Sequence, residues 1–146
     1  MDVSYITPNL WVGASLDEAA DFEELKSRGI DAILSLQSAE DVEDAGRERS
    51  LAESAGIEFR NVPVIDFDSV DLKEQLPRCV KVLDELIQQG RRVYVHCTLG
   101  MSRSPTVVAA YLHWYQDWPL EKAIDCLKDA RECYPHDGAI REAKRE

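Results

Sequence analysis

The decapeptide HCTLGMSRSP, residues 96–105, sets a cysteine at the end of an apolar run, a glycine loop after it, and Arg-Ser-Pro at the mouth of the next helix. Upstream, RRVYVH reads as a strand whose apolar run, Val93 to Val95, suits burial on both faces. Downstream, SPTVVAAYLHWYQD has helical spacing, with Pro105 in a first turn where no backbone N–H is needed. A strand, a tight loop and a helix N-terminus converge backbone N–H groups on one point and add the positive end of the helix dipole. Gly100 lets the loop bend without a side chain in the way. The stretch therefore predicts an anion cradle built by Thr98, Leu99, Gly100, Met101, Ser102 and Arg103.

A cysteine alone is more often a small buried hydrophobe than a nucleophile. The joint pattern His-Cys-x-x-Gly-x-x-Arg-Ser in a strand-loop-helix setting changes that reading for Cys97. Helix N-termini and adjacent cations favour the thiolate, and the planar fork of Arg103 suits a tetrahedral oxyanion. The chemistry this fits is thiolate attack on a phosphate ester through a cysteinyl-phosphate.

The rest of the chain frames this loop. Strands expected in SYITPNLWVGA (interrupted at Pro8), IDAILSLQS and IEFRNVPVIDFD alternate with helices expected in DEAADFEELKSRG, VEDAGRERSLAESAG and LKEQLPRCVKVLDELIQQG. Pro77 marks either a kink or the true start of the last of these. PLEKAIDCLKDAREC and DGAIREAKRE add two further helices. The alternation predicts one α/β domain over residues 1–146, a central mostly parallel sheet with helices on both faces.

Net charge is −11, from 17 basic and 28 acidic residues, which argues against nucleic acid and anionic lipid surfaces as partners. With no basic-then-apolar leader and no apolar run of about 18 residues, a cytoplasmic protein without membrane insertion is expected. Cys79, Cys97, Cys126 and Cys133 show no C-x-x-C spacing, so reduced thiols are expected. His96, His113 and His136 stand at no metal-ligand spacing with them. Neither metal nor cofactor is expected.

The stretch HCTLGMSRSP resembles the signature loop of the cysteine-dependent protein tyrosine phosphatases, in their dual-specificity branch. The likeness runs from ITPNLWVGASLDEAADFEELKSRGIDAILSLQ to the helices after the loop. The resemblance implies a dual-specificity-phosphatase-like fold with Cys97 as nucleophile and Arg103 as phosphate-binding arginine. It implies that Ser104 helps the thiolate depart in the second step, and that His96 orients the loop and tunes the thiol. A leaving alkoxide needs a proton, and VIDFDSVD lies where the family carries its general acid on a mobile loop. Asp66 is the best match and Asp68 the runner-up, while Asp71 looks like a helix N-cap. The short domain lacks the pocket-deepening tyrosine loop of the classical enzymes, which implies phosphoserine, phosphothreonine and phosphotyrosine as substrates.

IDFDSVDLKEQLP and ARECYPHDGAIREA are also similar to segments of plant glucan phosphatases, where Phe67 and Tyr134 match aromatic positions lining a sugar channel. Against that, Leu99-Gly100-Met101-Ser102 replaces their Ala-Gly-x-Gly, and Asp44-Ala45 replaces an aromatic pair before Gly46. A phosphorylated protein is thus the first expected substrate and a phosphorylated glucan the alternative. The loop and following helix further resemble mitochondrial-type phospholipid phosphatases, which the acidic charge disfavours. A non-catalytic phospho-binding module would usually have lost the cysteine, the arginine or the acid. A rhodanese-like sulfur transferase would need neither Arg-Ser here nor an acid loop upstream. Tyr111, Trp114, Tyr115 and Trp118 form a helical stripe expected to be core, with a sugar platform as the other reading. Cys126 and Cys133, seven apart, are expected to share a helical face and pack, with capture of an oxidised Cys97 as the alternative.

Overall fold

The computed structural model describes residues 1–145. The N-terminal stretch forms two strands, β1 (Val3–Thr7) and β2 (Leu10–Gly13), paired antiparallel across the turn at Pro8. There follow α1 (Ala19–Ser27), β3 (Ala32–Ser35), α2 (Arg47–Ser54), β4 (Glu58–Asn61), α3 (Ser69–Gln88), β5 (Val93–His96), α4 (Arg103–Tyr115), α5 (Leu120–Ala130) and α6 (Asp137–Glu142). The strands make one sheet in the order β1-β2-β5-β3-β4, parallel from β2 onward. It is the mostly parallel, helix-flanked sheet that the alternation predicts.

Because side chains alternate along a strand, each central strand feeds two cores. Leu10, Val12, Ala32, Leu34, Val93 and Val95 join the apolar residues of α3 to α6 on one side. Trp11, Ile33 and Tyr94 meet Phe22, Leu25 and Ala52 of α1 and α2 on the other. The continuous apolar reading of β5 follows from this double burial, and the same alternation turns His96 toward α2.

Three local expectations are corrected, and for Pro77 the helix-start reading is ruled out. Helix α2 starts at Arg47 rather than Val42, because the Asp41 carboxylate accepts from the Ser38 N–H and the Asp44 carboxylate from the Gly46 N–H. Such side-chain turns compete with helix. Pro77 sits inside α3, whose buried face of Leu72, Leu76, Val80, Leu83 and Leu86 outweighs one lost backbone hydrogen bond. Helix α4 ends before Trp118, since Asp117 turns the chain with φ 58°. Tyr111 is buried, whereas Trp114, Tyr115 and Trp118 are half-buried against the core. Cys126 and Cys133 share no helical face: α5 stops at Ala130 and Arg131 is extended at φ −161° and ψ 161°.

Candidate active site

Strand β5 is central, and its carboxyl end delivers the 97–102 loop to the rim of the parallel sheet, where open α/β folds bind ligands. Cys97 is nearly buried at the loop base, its Sγ 3.3 Å from Ser104 Oγ in the first turn of α4. The loop carbonyls are held from outside. Ser15 N donates to Thr98 O at 2.9 Å and Tyr134 N to Met101 O at 2.6 Å. Arg131 donates from Nε to Gly100 O (2.8 Å) and from Nη2 to Leu99 O (3.2 Å). Asp2 accepts from both terminal nitrogens of that guanidinium, each at 2.8 Å. Among the described residues, no backbone N–H of residues 98–102 donates to another protein group. These are the donors an anion cradle requires. Gly100 stands at φ +71°, and a Cβ there would meet the Gly13 carbonyl carbon at 2.6 Å, so the predicted need for glycine is doubly imposed.

Arg103 is almost fully buried, and its guanidinium is crowded with acceptors. Nη1 donates to Asp41 Oδ2 (2.8 Å) and Val64 O (2.9 Å). Nη2 donates to Asp41 Oδ1 and Thr98 Oγ1, both at 3.2 Å. Asp66 Oδ1 lies 3.3 Å from Nε. Thr98 in turn donates to Asp41 and accepts from Gln37 Nε2, both at 3.1 Å. Burial works against the Arg103 charge, yet Asp41, Cys97 and Asp66 together raise its pKa above the usual arginine value.

Asp41 was not legible as a site residue. Burial pushes its carboxyl up, but the hydrogen bonds and charge of Arg103 and the Ser38 donors reverse this and bring it from 3.8 down to about 2. A carboxyl depressed in the folded state adds stability that is present above pH 3.8 and lost as pH falls toward 2. The shift corresponds to about 2 kcal/mol. Asp41→Asn is accordingly expected to lower the urea midpoint near neutrality and to flatten its decline through acid pH. A variant that declines as steeply as the parent would place the acid lability elsewhere.

The acid segment resolves into three different carboxylates. Asp68 caps α3, accepting from Asp71 N at 2.9 Å, so it replaces Asp71 as the N-cap. Asp71 accepts from Ile65 N at 2.8 Å and braces the segment from inside. Asp66, 38 % exposed, is the one that faces Arg103. The next residue, Phe67, turns the chain at φ 59° and donates its N–H to Asp66 Oδ1 at 3.1 Å. Phe67 is fully exposed and, with Ser102, Arg103 and His136, lines a crevice of about 220 Å³. Tyr134 and Leu99 are exposed on other parts of the rim.

His96 lies behind the loop, fully buried, with Nδ1 2.9 Å from Cys97 O and Nε2 2.5 Å from Glu48 Oε2. The spare thiols have no such setting. Burial pushes Cys79 up to about 12 and raises Cys126 and Cys133 as well. Cys97, Ser104, Arg103 and Asp66 thus meet at one place, while Leu99 of the loop stands exposed on the rim. The sequence reading missed Asp41, Glu48, Arg131 and Gln37, which reach the loop from distant segments with no local pattern to mark them.

Residues 10–142 match the family model described as dual specificity phosphatase, catalytic domain. The phosphoglucan phosphatase LSF1 of Arabidopsis thaliana is 35 % identical over 96 % of this chain, which spans 24 % of that relative's length. Dual specificity protein phosphatase 1B of the same plant is 33 % identical over 95 % of this chain and 78 % of its own length. Among solved structures, Tk-PTP in its active form superposes with a TM-score of 0.78 at 22 % identity, covering 97 % of this chain and 92 % of that one. A strand-loop-helix cradle around Cys97, Arg103 at its mouth and a family match across nearly the whole chain lead to one assignment: this protein belongs to the dual specificity phosphatase catalytic-domain family.

Proposed function

We propose that the chain hydrolyses phosphate monoesters without a metal, through a phosphoryl group carried on Cys97. The observation that supports this best is the convergence of the Cys97 thiol, the unpaired loop amides, the Arg103 guanidinium and the Asp66 carboxyl. The loop N–H groups and Arg103 take the non-bridging oxygens, and Arg103 exchanges its contact with Asp66 for one with phosphate. The Cys97 thiolate attacks phosphorus, the ester P–O bond breaks, and Asp66 as acid gives its proton to the departing oxygen. Asp66 then takes a proton from water as that water attacks the phosphocysteine. The P–S bond breaks, and the Ser104 hydroxyl donates to the leaving thiolate, leaving inorganic phosphate.

The substrate we propose is a phosphorylated tyrosine, serine or threonine side chain on a protein. The lack of the pocket-deepening tyrosine loop in this sequence favours it, by admitting short as well as long phospho-side chains. A phosphorylated glucan is the second reading. It draws on the exposed Phe67 and Tyr134 at the rim and on the likeness to the phosphoglucan phosphatase LSF1. Residues 1–146 act as one catalytic unit in this account. Among the described residues no helix is long and apolar enough to cross a membrane, and the four cysteines are unpaired. We place the protein in a reducing compartment, the cytoplasm.

The test is phosphate release, with EDTA present, from a phosphotyrosine peptide, a phosphothreonine peptide and phosphorylated amylopectin. Faster release from both peptides is expected. Preference for amylopectin would transfer the assignment to glucan and make Phe67 and Tyr134 sugar contacts. Release of no phosphate from any of them would sink the hydrolase reading.

A further inference from the structure

The ring of His96 has two neighbours, and both are acceptors. Nδ1 faces the Cys97 carbonyl oxygen and Nε2 faces a carboxylate oxygen of Glu48. A neutral imidazole carries one N–H and can satisfy only one of them. The second hydrogen bond requires one proton more, shared between the ring and the carboxyl across 2.5 Å. His96 is fully buried and Glu48 is 14 % exposed, so water does not supply that partner. The Glu48 carboxylate stands in the first turn of α2, where the helix dipole favours its negative charge. The ring also lies stacked on Tyr94, 5.6 Å between centroids.

We propose that Glu48 is a positioning residue for the phosphatase reaction. It holds His96 as an imidazolium whose Nδ1–H fixes the Cys97 peptide and whose charge lies behind the nucleophile. The inference rests on the reading of Cys97 as nucleophile. Glu48 touches neither the reacting sulfur nor the phosphate. It acts through the ring, orienting the first peptide of the loop and placing the cationic end of the ion pair toward it. It reaches His96 because β5 turns that side chain away from the α3 side, onto the face that α2 covers. Its other face lines a cavity of about 340 Å³ shared with Asp17, Gln37, Asp41, Arg47 and Thr98. Glu48 is therefore part of the wall of a recess that opens beside the loop, with His96 buried behind it.

Other groups bear on Cys97 too. Arg103 lies on α4 together with the Ser104 hydroxyl, and Tyr94 lies on β5 itself, while Asp41 after β3 and Asp66 after β4 act on the thiol through Arg103. Each remains in place when Glu48 is changed, so a loss in the variant reports the His96 pair.

Glu48→Gln separates charge from geometry. The glutamine amide can still meet Nε2, while the ring keeps its Nδ1–H on the Cys97 carbonyl and gives up the extra proton. Iodoacetamide alkylation of Cys97 at about pH 6 is expected to slow by about threefold, less than one full charge would give, because the negative charge of Glu48 is lost together with the extra ring proton. Inorganic phosphate should bind with unchanged affinity, since the loop amides and Arg103 are untouched. A merely structural role would lower phosphate affinity and alkylation together, and that outcome overturns the proposal. Alkylation at the parent rate also overturns it.

Nitrogen-15 spectra of the unaltered protein provide a readout that survives a misfolded variant. Two protonated His96 ring nitrogens are expected, and one bare nitrogen refutes the idea. Neither measurement needs turnover. If the parent releases no phosphate yet His96 carries both protons, the hydrolase reading fails and the ion pair stands. If the parent is active and Glu48→Gln alkylates normally, the positioning role alone fails.

Discussion

Cys97→Ser is expected to lose turnover by a factor on the order of 10⁵ or more, the scale seen when an enzyme's nucleophile is removed. The reason lies in what surrounds the atom. A hydroxyl needs a general base to become a nucleophile, whereas a thiol in a cradle of N–H groups does not. The nearest imidazole cannot serve, because both nitrogens of His96 are committed to Cys97 O and Glu48. The neighbouring hydroxyl of Ser104 is itself a donor or acceptor, not a base. The loop and Arg103 remain, so inorganic phosphate and vanadate should still bind. Hydrolysis of p-nitrophenyl phosphate and phosphate titration calorimetry check the two halves. A serine variant that turns over near the parent rate contradicts the covalent route.

Asp66→Ala should cut kcat by about 10² to 10⁴, the usual range for a positioned acid. The loss must scale with the leaving group. An alkyl phosphate departs as a strong base and needs the proton, whereas p-nitrophenolate departs almost unaided. The same change removes a carboxylate 3.3 Å from Arg103 Nε, a site that substrate phosphate would otherwise have to take over. Phosphate affinity is therefore expected to rise as kcat falls. Equal losses for good and poor leaving groups would move the acid to another residue. Asp68 is a poor candidate for that role, because its carboxylate caps α3.

Much of this was legible in one stretch. A strand ending in His96-Cys97, a glycine and a helix opening on Arg103 are local facts, written in adjacent residues and read with local rules. The same holds for the sheet, whose central strands are short apolar runs between helical segments. Contacts between distant segments were not legible. Asp41 lies 62 residues before Arg103, and nothing separates it from the other 27 acidic residues until β3 and α4 are side by side. Arg131 reads as one cation in a charged helix end; only the fold shows it tying Asp2 to Gly100 and pulling the chain out of α5 before Cys133. The misread cap has the same origin. Asp68 and Asp71 both precede the apolar positions of α3, but Asp71 already lies in its first turn, where its carboxylate accepts from the Ile65 N–H.

A single measurement bears most directly on the claim that the phosphoryl group passes through Cys97. Mix enzyme and excess p-nitrophenyl phosphate in a rapid-quench device, follow the first turnover, and map phosphate on the acid-quenched protein by mass spectrometry. A burst of nitrophenolate equal to the enzyme present and a phosphate bound to Cys97 are expected, both unaffected by EDTA. Phosphate release with no burst and an unmodified Cys97 would contradict it.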